Sequence, residues 1–183
     1  MLDRIAVTML VSNFSDSSDG EALKSRDLVL MLLECTPAPF SREQFTPGHI
    51  TATGLVLAPD EERVLLVHHR RLDRWLLPGG HVEAEDEMAG ETARREVIEE
   101  TGAALAGKAE PPLAGIDVHG IPAKGSEPYH LHHDLIFLFQ ATSDRLQVSA
   151  ESHDVAWCHP RDFERYAIPS NVRRAYRRAL TIM

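Results

Sequence analysis

The chain has 183 residues, of which 43% are hydrophobic and 26% charged, and its formal net charge is -9. This size predicts one domain with room for an extra segment, and the acidic charge disfavours a general nucleic-acid-binding surface. No apolar run approaches the roughly 20 residues that a membrane helix needs. Two cysteines far apart in sequence indicate reduced thiols, as expected of a cytoplasmic protein.

The first 46 residues are predicted to form an extension of the main domain. Ile5–Val11 is interpreted as a short strand or packed segment, because no small-residue cleavage pattern of a signal peptide follows it. Ser18 and Glu21 have the spacing of a capping box and predict a helix that runs to Cys35. We therefore expect the extension, residues 1–46, to pack on a main domain that spans residues 47–183.

The main domain is predicted to alternate between strands and helices. Strands are predicted at residues 50–58, 63–69, 113–119, 132–141 and 154–158, with a short apolar piece at 75–77. Helices are predicted at 86–101, closed by Gly102, and at 171–180, capped by Ser170. Arginines on the last helix are expected to face either solvent or a partner chain in a homodimer. The order of elements predicts an α/β fold with a mixed sheet flanked by helices.

The first helix of the main domain carries Glu96, Glu99 and Glu100 on one side, at positions i, i+3 and i+4. Like charges one turn apart near the negative end of a helix dipole are unfavourable without a cation. A solvated acidic face is the alternative, but residues 83–100 hold eight acids against two arginines, a net charge of -6, directly after the pair Gly79–Gly80. This density of oxygen ligands favours Mg²⁺, Mn²⁺ or Ca²⁺ over zinc.

The segment Gly80–Ala103 resembles the Nudix box, and its second half, Arg95–Gly102, matches the pattern Arg-Glu-aliphatic-x-Glu-Glu-x-Gly fully. The family pattern has five residues between its glycine and a spaced glutamate, whereas six separate Gly80 from Glu87. We place the extra residue in the loop before the helix, because an insertion inside the helix would turn the glutamates off their common face. The alternative takes Asp86 as the spaced acid and puts eight residues before Arg95.

The resemblance implies a Nudix-type α/β/α sandwich around a mixed sheet. It also implies a metal-dependent hydrolase that cleaves a phosphoanhydride bond in a nucleoside diphosphate derivative of the nucleotide sugar or ADP-ribose type. The substrate is then a small nucleotide, with neither nucleic acid nor membrane as a partner. The alternatives are a nucleoside triphosphate pyrophosphohydrolase, a non-catalytic Nudix sensor, and an enzyme like isopentenyl diphosphate isomerase, which would need a reactive cysteine.

The resemblance also implies roles for single residues. Mg²⁺ (or Mn²⁺) is expected on Glu96, Glu99, Glu100 and the carbonyl of Gly80. Arg95 is expected to pair with Glu87 and to hold the glutamates in place. The general base is expected to be Glu99, or else Glu151 in the loop before the last strand, whose alternative interpretation is a plain surface carboxylate.

Basic residues near the glycine pair are candidates for contacts with the substrate. Arg70, Arg71 and Arg74 precede the pair and His81 follows it, so that they could bind phosphate, although solvated loop arginines fit equally. Histidines also open a later strand at His130, His132 and His133. Alternation points the first two to one side and His133 to the other. Because no cysteine or fixed ligand spacing indicates zinc, these three are interpreted as ordinary sheet and loop histidines. The alternative is that their imidazoles contact a phosphate or a sugar.

Overall fold

A computed structural model describes residues 1–16, 18–107 and 110–183 of the chain. The helices are α1 (Arg4–Ser12), α2 (Gly20–Cys35), α3 (Ala89–Thr101) and α4 (Ser170–Ile182), and a single 3-10 turn covers Pro160–Asp162. The strands are β1 (Gly48–Leu57), β2 (Val64–His69), β3 (Arg74–Leu76), β4 (Gly79–His81), β5 (Leu113–Ile121), β6 (His130–Gln140) and β7 (Ser152–Cys158). In the part of the chain described, no helix has both the length and the apolar character needed to cross a membrane.

The strands form one mixed sheet in the order β3-β2-β1-β6-β5, in which β4 also pairs with β1 and β7 with β2. The β1–β6 pair is parallel and runs the whole length of β1, whereas the other pairs are antiparallel. On its other side β1 meets β2 only at Leu57 and meets β4 at Thr51–Thr53. Two different strands therefore pair with the same edge of β1, β2 at its end and β4 further back. The glycines of β4 lie beside the middle of β1.

Helices cover both faces of the sheet, which confirms the predicted sandwich. On one face Ala52 and Val56 of β1 join a core with Val97 of α3 and with buried residues of α1 and α2. On the opposite face Leu55 and Leu57 belong to a second core with α4. Because side chains alternate along a strand, this second face continues towards the start of β1 through polar residues, Thr53, Thr51 and His49.

The segment 5–11 is helical, so of its two interpretations the short strand is wrong and the packed segment is correct. Its valines and isoleucine have weak helix propensity, but Asp3 caps the first turn by accepting a hydrogen bond from the Ile5 N–H at 2.8 Å. Val7 and Val11, one turn apart, are both buried in the main core. Packing of one helical face therefore outweighs the local preference for an extended chain.

Both predicted helix caps are wrong in detail. Helix α2 is capped by Asp19, whose Oδ1 accepts the Ala22 N–H at 3.0 Å, and Ser18 lies outside the helix. Helix α4 already begins at Ser170, follows Pro169, and has no side-chain cap. In both cases the neighbouring residue, Asp19 or Pro169, occupies the N-cap position. The sequence pattern of capping residues defines a helix end only to within a residue or two.

The arginines of α4 contact their own chain more than solvent. Arg174 Nε donates to Asp19 Oδ2 at 2.9 Å, and Arg178 Nη1 donates to the Ser15 carbonyl at 2.7 Å. Arg173 donates to the Ile168 carbonyl at 2.8 Å, whereas Arg177 is exposed. Of these four arginines, only Arg177 fits the interpretation as a solvated or dimer-facing stripe. Arg174 and Arg178 instead bind α4 to the segment that precedes α2.

Candidate metal and phosphate site

The glutamates of α3 lie against the glycine pair of β4. The Gly79 N–H donates a hydrogen bond to Glu100 Oε2 at 2.9 Å. The Glu96 carboxylate approaches Gly80 so closely that a Cβ there would lie 2.6 Å from it, which only glycine avoids. Glu100 is 6% exposed, whereas the side chain of Glu99 is 58% exposed. Two carboxylates are thus enclosed between helix and strand, and a third is open to solvent.

The enclosed carboxylates carry an electrostatic penalty. The pKa of Glu100 is raised to about 7, mainly by burial and then by the neighbouring carboxylates of Glu96, Glu151 and Glu99. Burial also raises the pKa of Glu96, and Glu99 and Glu151 add to this effect, although Arg95 opposes it. A divalent cation would neutralise these carboxylates and remove the penalty. The charge of Glu151 is therefore near enough to raise the pKa of both enclosed glutamates.

Arg95 connects the glutamates to the loop that precedes α3. Its Nη2 donates to Asp86 Oδ2 at 2.9 Å and to the His81 carbonyl at 2.8 Å. Its Nη1 donates to Glu96 Oε1 at 2.9 Å and to Glu99 Oε2 at 3.2 Å. These partners, Asp86 first, raise the pKa of Arg95 above its usual value. One guanidinium therefore fixes two of the three carboxylates relative to β4.

The acid that pairs with Arg95 is Asp86, so the predicted pairing with Glu87 is wrong. Asp86 is 6% exposed and also accepts a hydrogen bond from the Thr92 hydroxyl at 2.9 Å, whereas Glu87 is exposed. The prediction assumed a helix from residue 86, in which an extra residue after Asp86 would rotate the glutamates. Because α3 begins only at Ala89, the extra residue lies in the loop and leaves their common face intact.

The turn before β7 brings Glu151 and Arg70 together. The Arg70 N–H donates to the Glu151 carbonyl at 3.1 Å, and Arg70 Nε donates to the Ser152 carbonyl at 2.8 Å. Since the Glu151 charge acts on the buried glutamates, this turn borders the cluster. Arg74 instead begins β3, the edge strand, opposite His69, and is exposed. The charge of Glu151 therefore reaches the glutamates, Arg70 is held against the turn that carries Glu151, and Arg74 lies at the edge of the sheet.

His81 meets histidines from two other strands. Its ring centroid is 5.1 Å from that of His49 and 5.2 Å from that of His132, and the latter two are 4.9 Å apart. His49 and His132 are direct neighbours in the parallel β1–β6 pair. Burial first, and then the adjacent imidazoles, lower the pKa of His81 to about 4 and that of His132 to about 2. These rings are consequently neutral at neutral pH.

A cavity of about 30 Å³ opens on this group of histidines. Its other walls include Arg42, Phe45, Arg71, Glu127 and His130, and Arg71 Nη2 lies 2.8 Å from Glu127 Oε2. Two arginines, Arg42 and Arg71, therefore line the same cavity as His81. Of these, only Arg71 was among the predicted phosphate contacts.

A profile of the NUDIX domain matches residues 48–179. The chain belongs to the Nudix family. Over 122 residues, 66% of the chain and 73% of the relative, this Nudix protein is 31% identical to a Bacillus subtilis (strain 168) protein named "Putative 8-oxo-dGTP diphosphatase". It is therefore a Nudix hydrolase, an enzyme class that acts on nucleoside diphosphate derivatives.

Solved Nudix structures resemble the fold of this hydrolase. The Ap4A hydrolase of C. elegans, solved as a binary complex, superposes with a TM-score of 0.56 at 19% identity, over 73% of this chain and 96% of that one. A NUDIX hydrolase from Nitrosomonas europaea gives a TM-score of 0.52 at 19% identity, over 72% and 88%. At these identities the likeness shows the mixed α/β fold and nothing about the substrate.

Nudix enzymes use divalent metals, and the residues of this Nudix site fit such an ion. Glu96 and Glu100 are enclosed carboxylates with raised pKa values, and Glu99 and Glu151 add two further carboxylates from an exposed turn of α3 and from the turn before β7. Carboxylate oxygens at this density are the donors that hard divalent cations prefer.

Proposed function

We propose that this Nudix hydrolase cleaves the phosphoanhydride bond of a nucleotide sugar or an ADP-ribose-type compound with Mg²⁺ or Mn²⁺. The proposed ligands are Glu96, Glu99, Glu100 and the carbonyl of Gly80. The observation that carries the proposal is the convergence of the α3 carboxylates on the glycine pair of β4. The ion, when bound, supplies charge neutralisation for a diphosphate and lowers the pKa of a coordinated water.

Protein groups around the glutamates have positioning and binding roles in this proposal. Arg95 is a positioning residue, because its bonds to Asp86 and to the His81 carbonyl hold it in place while it orients Glu96. Arg70, anchored through Nε to β7, would direct its remaining guanidinium N–H groups at a phosphate oxygen, for which the planar fork is well suited. Arg74 and His81 are proposed contacts for the part of the substrate beyond the diphosphate.

The proposed general base is Glu99. It is the most exposed of the three α3 glutamates, and Arg95 bonds only its Oε2, so that Oε1 can accept a proton from water. Glu151 is the second candidate, because it lies near the same carboxylates. The base accepts the proton of the attacking water, while Arg95 keeps Glu99 in place.

Variants at these two glutamates distinguish the candidates. With saturating Mg²⁺, Glu99→Gln is expected to lower kcat by about 10²-fold or more, the usual contribution of a general base, and Glu151→Gln by less than about tenfold. The measurement is kcat against pH, with the KM for Mg²⁺ determined in parallel to separate a loss of metal from a loss of the base. The opposite order would assign the base to Glu151.

A panel of substrates tests the proposed function. Turnover of ADP-ribose, UDP-glucose, dGTP, 8-oxo-dGTP and Ap4A is measured by product chromatography with Mg²⁺ and with Mn²⁺. We expect the highest kcat/KM for ADP-ribose or UDP-glucose, loss of turnover in Glu100→Gln, and no loss in Glu61→Gln, an exposed acid outside the site. Unchanged metal-dependent turnover in Glu100→Gln would contradict the mechanism.

Nucleoside triphosphates are the second candidate substrates. The Bacillus subtilis relative at 31% identity is named for hydrolysis of 8-oxo-dGTP, and the glutamate cluster suits any pyrophosphate group. A kcat/KM for dGTP or 8-oxo-dGTP above those for ADP-ribose and UDP-glucose would favour this candidate.

The isomerase alternative lacks its cysteine. Cys158 is 1% exposed within the core under α4, and burial raises the pKa of its thiol to about 11, so that it is a poor nucleophile. Cys35 ends α2 and is exposed, and neither thiol lines the cavity at His81. The sensor alternative would be favoured by tight binding of ADP-ribose without hydrolysis in the same panel.

A further inference from the structure

Three histidines converge from three strands, and only one of them, His81, has a role in the function proposed above, as a substrate contact. One ring nitrogen from each of His49, His81 and His132 lies within 4.8 Å of the other two. Imidazole nitrogen is a ligand that transition metals prefer, whereas Mg²⁺ prefers oxygen. The donor set therefore differs in kind from that of the α3 glutamates.

The buried ring of His49 carries the strongest sign of a ligand. Its Nδ1 lies 3.1 Å from the Gln44 carbonyl, which can only accept, so Nδ1 holds the proton and Nε2 has a free lone pair. His49 is 1% exposed, and its Nε2 is buried with no hydrogen-bond partner in the described parts of the chain. An unpaired buried acceptor costs about 1–3 kcal/mol. A ring oriented by a backbone carbonyl, with its other nitrogen free, is the usual arrangement of a metal-bound histidine.

The strands hold the three rings in a fixed relationship. His49 and His132 are paired residues of β1 and β6, and His81 pairs with Thr51, two residues further along β1. Tetrahedral zinc with bonds of 2.0–2.1 Å places its nitrogens about 3.3 Å apart. The ring nitrogens already lie within 4.8 Å of one another, so an approach of up to about 1.5 Å, which rotation of the imidazole rings can supply, would reach this spacing.

The adjoining cavity leaves room beside such an ion. Its volume of about 30 Å³ exceeds the roughly 10–15 Å³ that a water needs. Three protein nitrogens with one open coordination position are typical of zinc sites that bind a water or a substrate oxygen.

We propose that His49, His81 and His132 bind one divalent transition-metal ion, Zn²⁺ or an ion of the same class, with a fourth position open to the cavity. This site is separate from the α3 glutamates and does not depend on the function proposed above. A set of neutral histidines that only fills the polar part of the sheet would leave Nε2 of His49 without a partner.

The test is metal binding to the full chain, with Mg²⁺ in excess to occupy the oxygen ligands. Protein stripped with a chelator is dialysed against Zn²⁺, and bound zinc is counted by elemental analysis. Co²⁺ replaces Zn²⁺ for visible absorption, because four-coordinate imidazole-bound Co²⁺ absorbs far more strongly than six-coordinate, oxygen-bound Co²⁺. The variants are His132→Gln, the matched control His153→Gln at an exposed position of β7, and the double variant Glu96→Gln/Glu100→Gln.

We expect one Zn²⁺ per chain in the wild type, at least a tenfold weaker affinity in His132→Gln, and unchanged binding in the other two variants. Zn²⁺ should also raise the Tm of the wild type but not of His132→Gln, because a ligand of the folded state stabilises it. If His132→Gln does not fold, His81→Gln and the wild-type Co²⁺ spectrum decide the question. Absence of zinc in the wild type, or its loss in the glutamate variant but not in His132→Gln, would overturn the proposal.

Discussion

The Asp86 side chain receives hydrogen bonds from the Arg95 guanidinium, the Thr92 hydroxyl and the Glu83 N–H. Together they hold the pKa of this carboxyl below its usual value, against the effect of burial. Since Arg95 also bonds Glu96, the loop before α3 and the glutamate-bearing side of the helix form one connected network. Asp86 thus acts on the glutamates through Arg95.

Asp86→Asn should damage both stability and turnover. Loss of the charged partner of a half-buried Arg95 should lower the free energy of unfolding by about 2 kcal/mol, as for a hydrogen bond to a charged group. It should also raise the KM for Mg²⁺, because Glu96 loses its orientation. Urea unfolding and metal titration of activity measure the two effects. Glu87→Gln is the adjacent control. If Glu87→Gln had an effect as large as that of Asp86→Asn, Glu87 and not Asp86 would be the functional partner of Arg95.

Gly80→Ala tests the close approach of β4 to α3. The added Cβ would lie 2.6 Å from the Glu96 carboxylate, so helix and strand must separate. We expect a raised KM for Mg²⁺ and a fall in kcat of about tenfold or more, since small misplacements of catalytic groups are costly. In Gly20→Ala the new Cβ meets open space, and activity should not change. Normal metal activation of Gly80→Ala would show that the contact is not needed.

The residue pattern predicts part of this site and not the rest. Glu96, Glu99 and Glu100 share a face because helix periodicity alone places them there, and the helix ends at Gly102 with a φ of 63° as predicted. The acid that pairs with Arg95 was not predicted, because the spacing between Gly80 and Arg95 does not show whether the extra residue precedes or follows Asp86. That depends on where α3 begins, which the Glu91 carboxylate helps to set by accepting the Met88 N–H at 3.2 Å.

At the scale of elements, α2 shows how a cap can serve two helices. The two oxygens of Asp19 accept from the first turn of α2 and from Arg174 of α4. The carboxylate thus links the extension to the last helix of the main domain. Sequence spacing pointed to Ser18, whose hydroxyl instead donates to Asp16 at 2.6 Å.

Asp19→Ala and Ser18→Ala compare the two caps. Asp19→Ala removes an N-cap and an ion pair with a half-buried arginine, and should lower the free energy of unfolding by about 2 kcal/mol. Ser18→Ala, at an exposed position outside the helix, should change it by less than about 0.5 kcal/mol. Urea denaturation followed by far-UV circular dichroism measures both. Equal losses in the two variants would show that Ser18 takes part in capping.

At the scale of the whole molecule, the sheet register brings distant residues together. Local alternation predicts that His130 and His132 share a side, and their rings do lie 5.2 Å apart. It cannot predict that His49 joins them, because the parallel pairing of β1 with β6 is decided by how the hydrophobic faces of the whole chain pack. The shared face of the α3 glutamates can therefore be predicted from the sequence, and the histidine group cannot.

The extension shares the main core instead of lying on its surface. Val11 and Leu32 are buried in one cluster with Ile116 of β5 and Leu135 of β6, although the family match begins only at residue 48. Among the residues described, this segment contributes eight buried members to the cluster: Leu2, Val7, Val11, Phe14, Ala22, Val29, Leu32 and Leu33. At about 1.5–3 kcal/mol for each large one, their burial contributes on the order of 10 kcal/mol, similar to the whole stability of an ordinary domain.

Removal of residues 1–46 should therefore abolish cooperative folding. The truncated chain exposes the face of β5 and β6 around Ile116 and Leu135, and part of the lost burial is offset because the segment no longer has to be ordered. We expect near-UV circular dichroism and the sigmoidal urea transition to disappear, with hydrolysis lost as a consequence. Removal of the exposed residues 181–183 is the control and should leave both intact. A truncated chain that unfolds at the same urea midpoint would show that residues 47–183 fold alone.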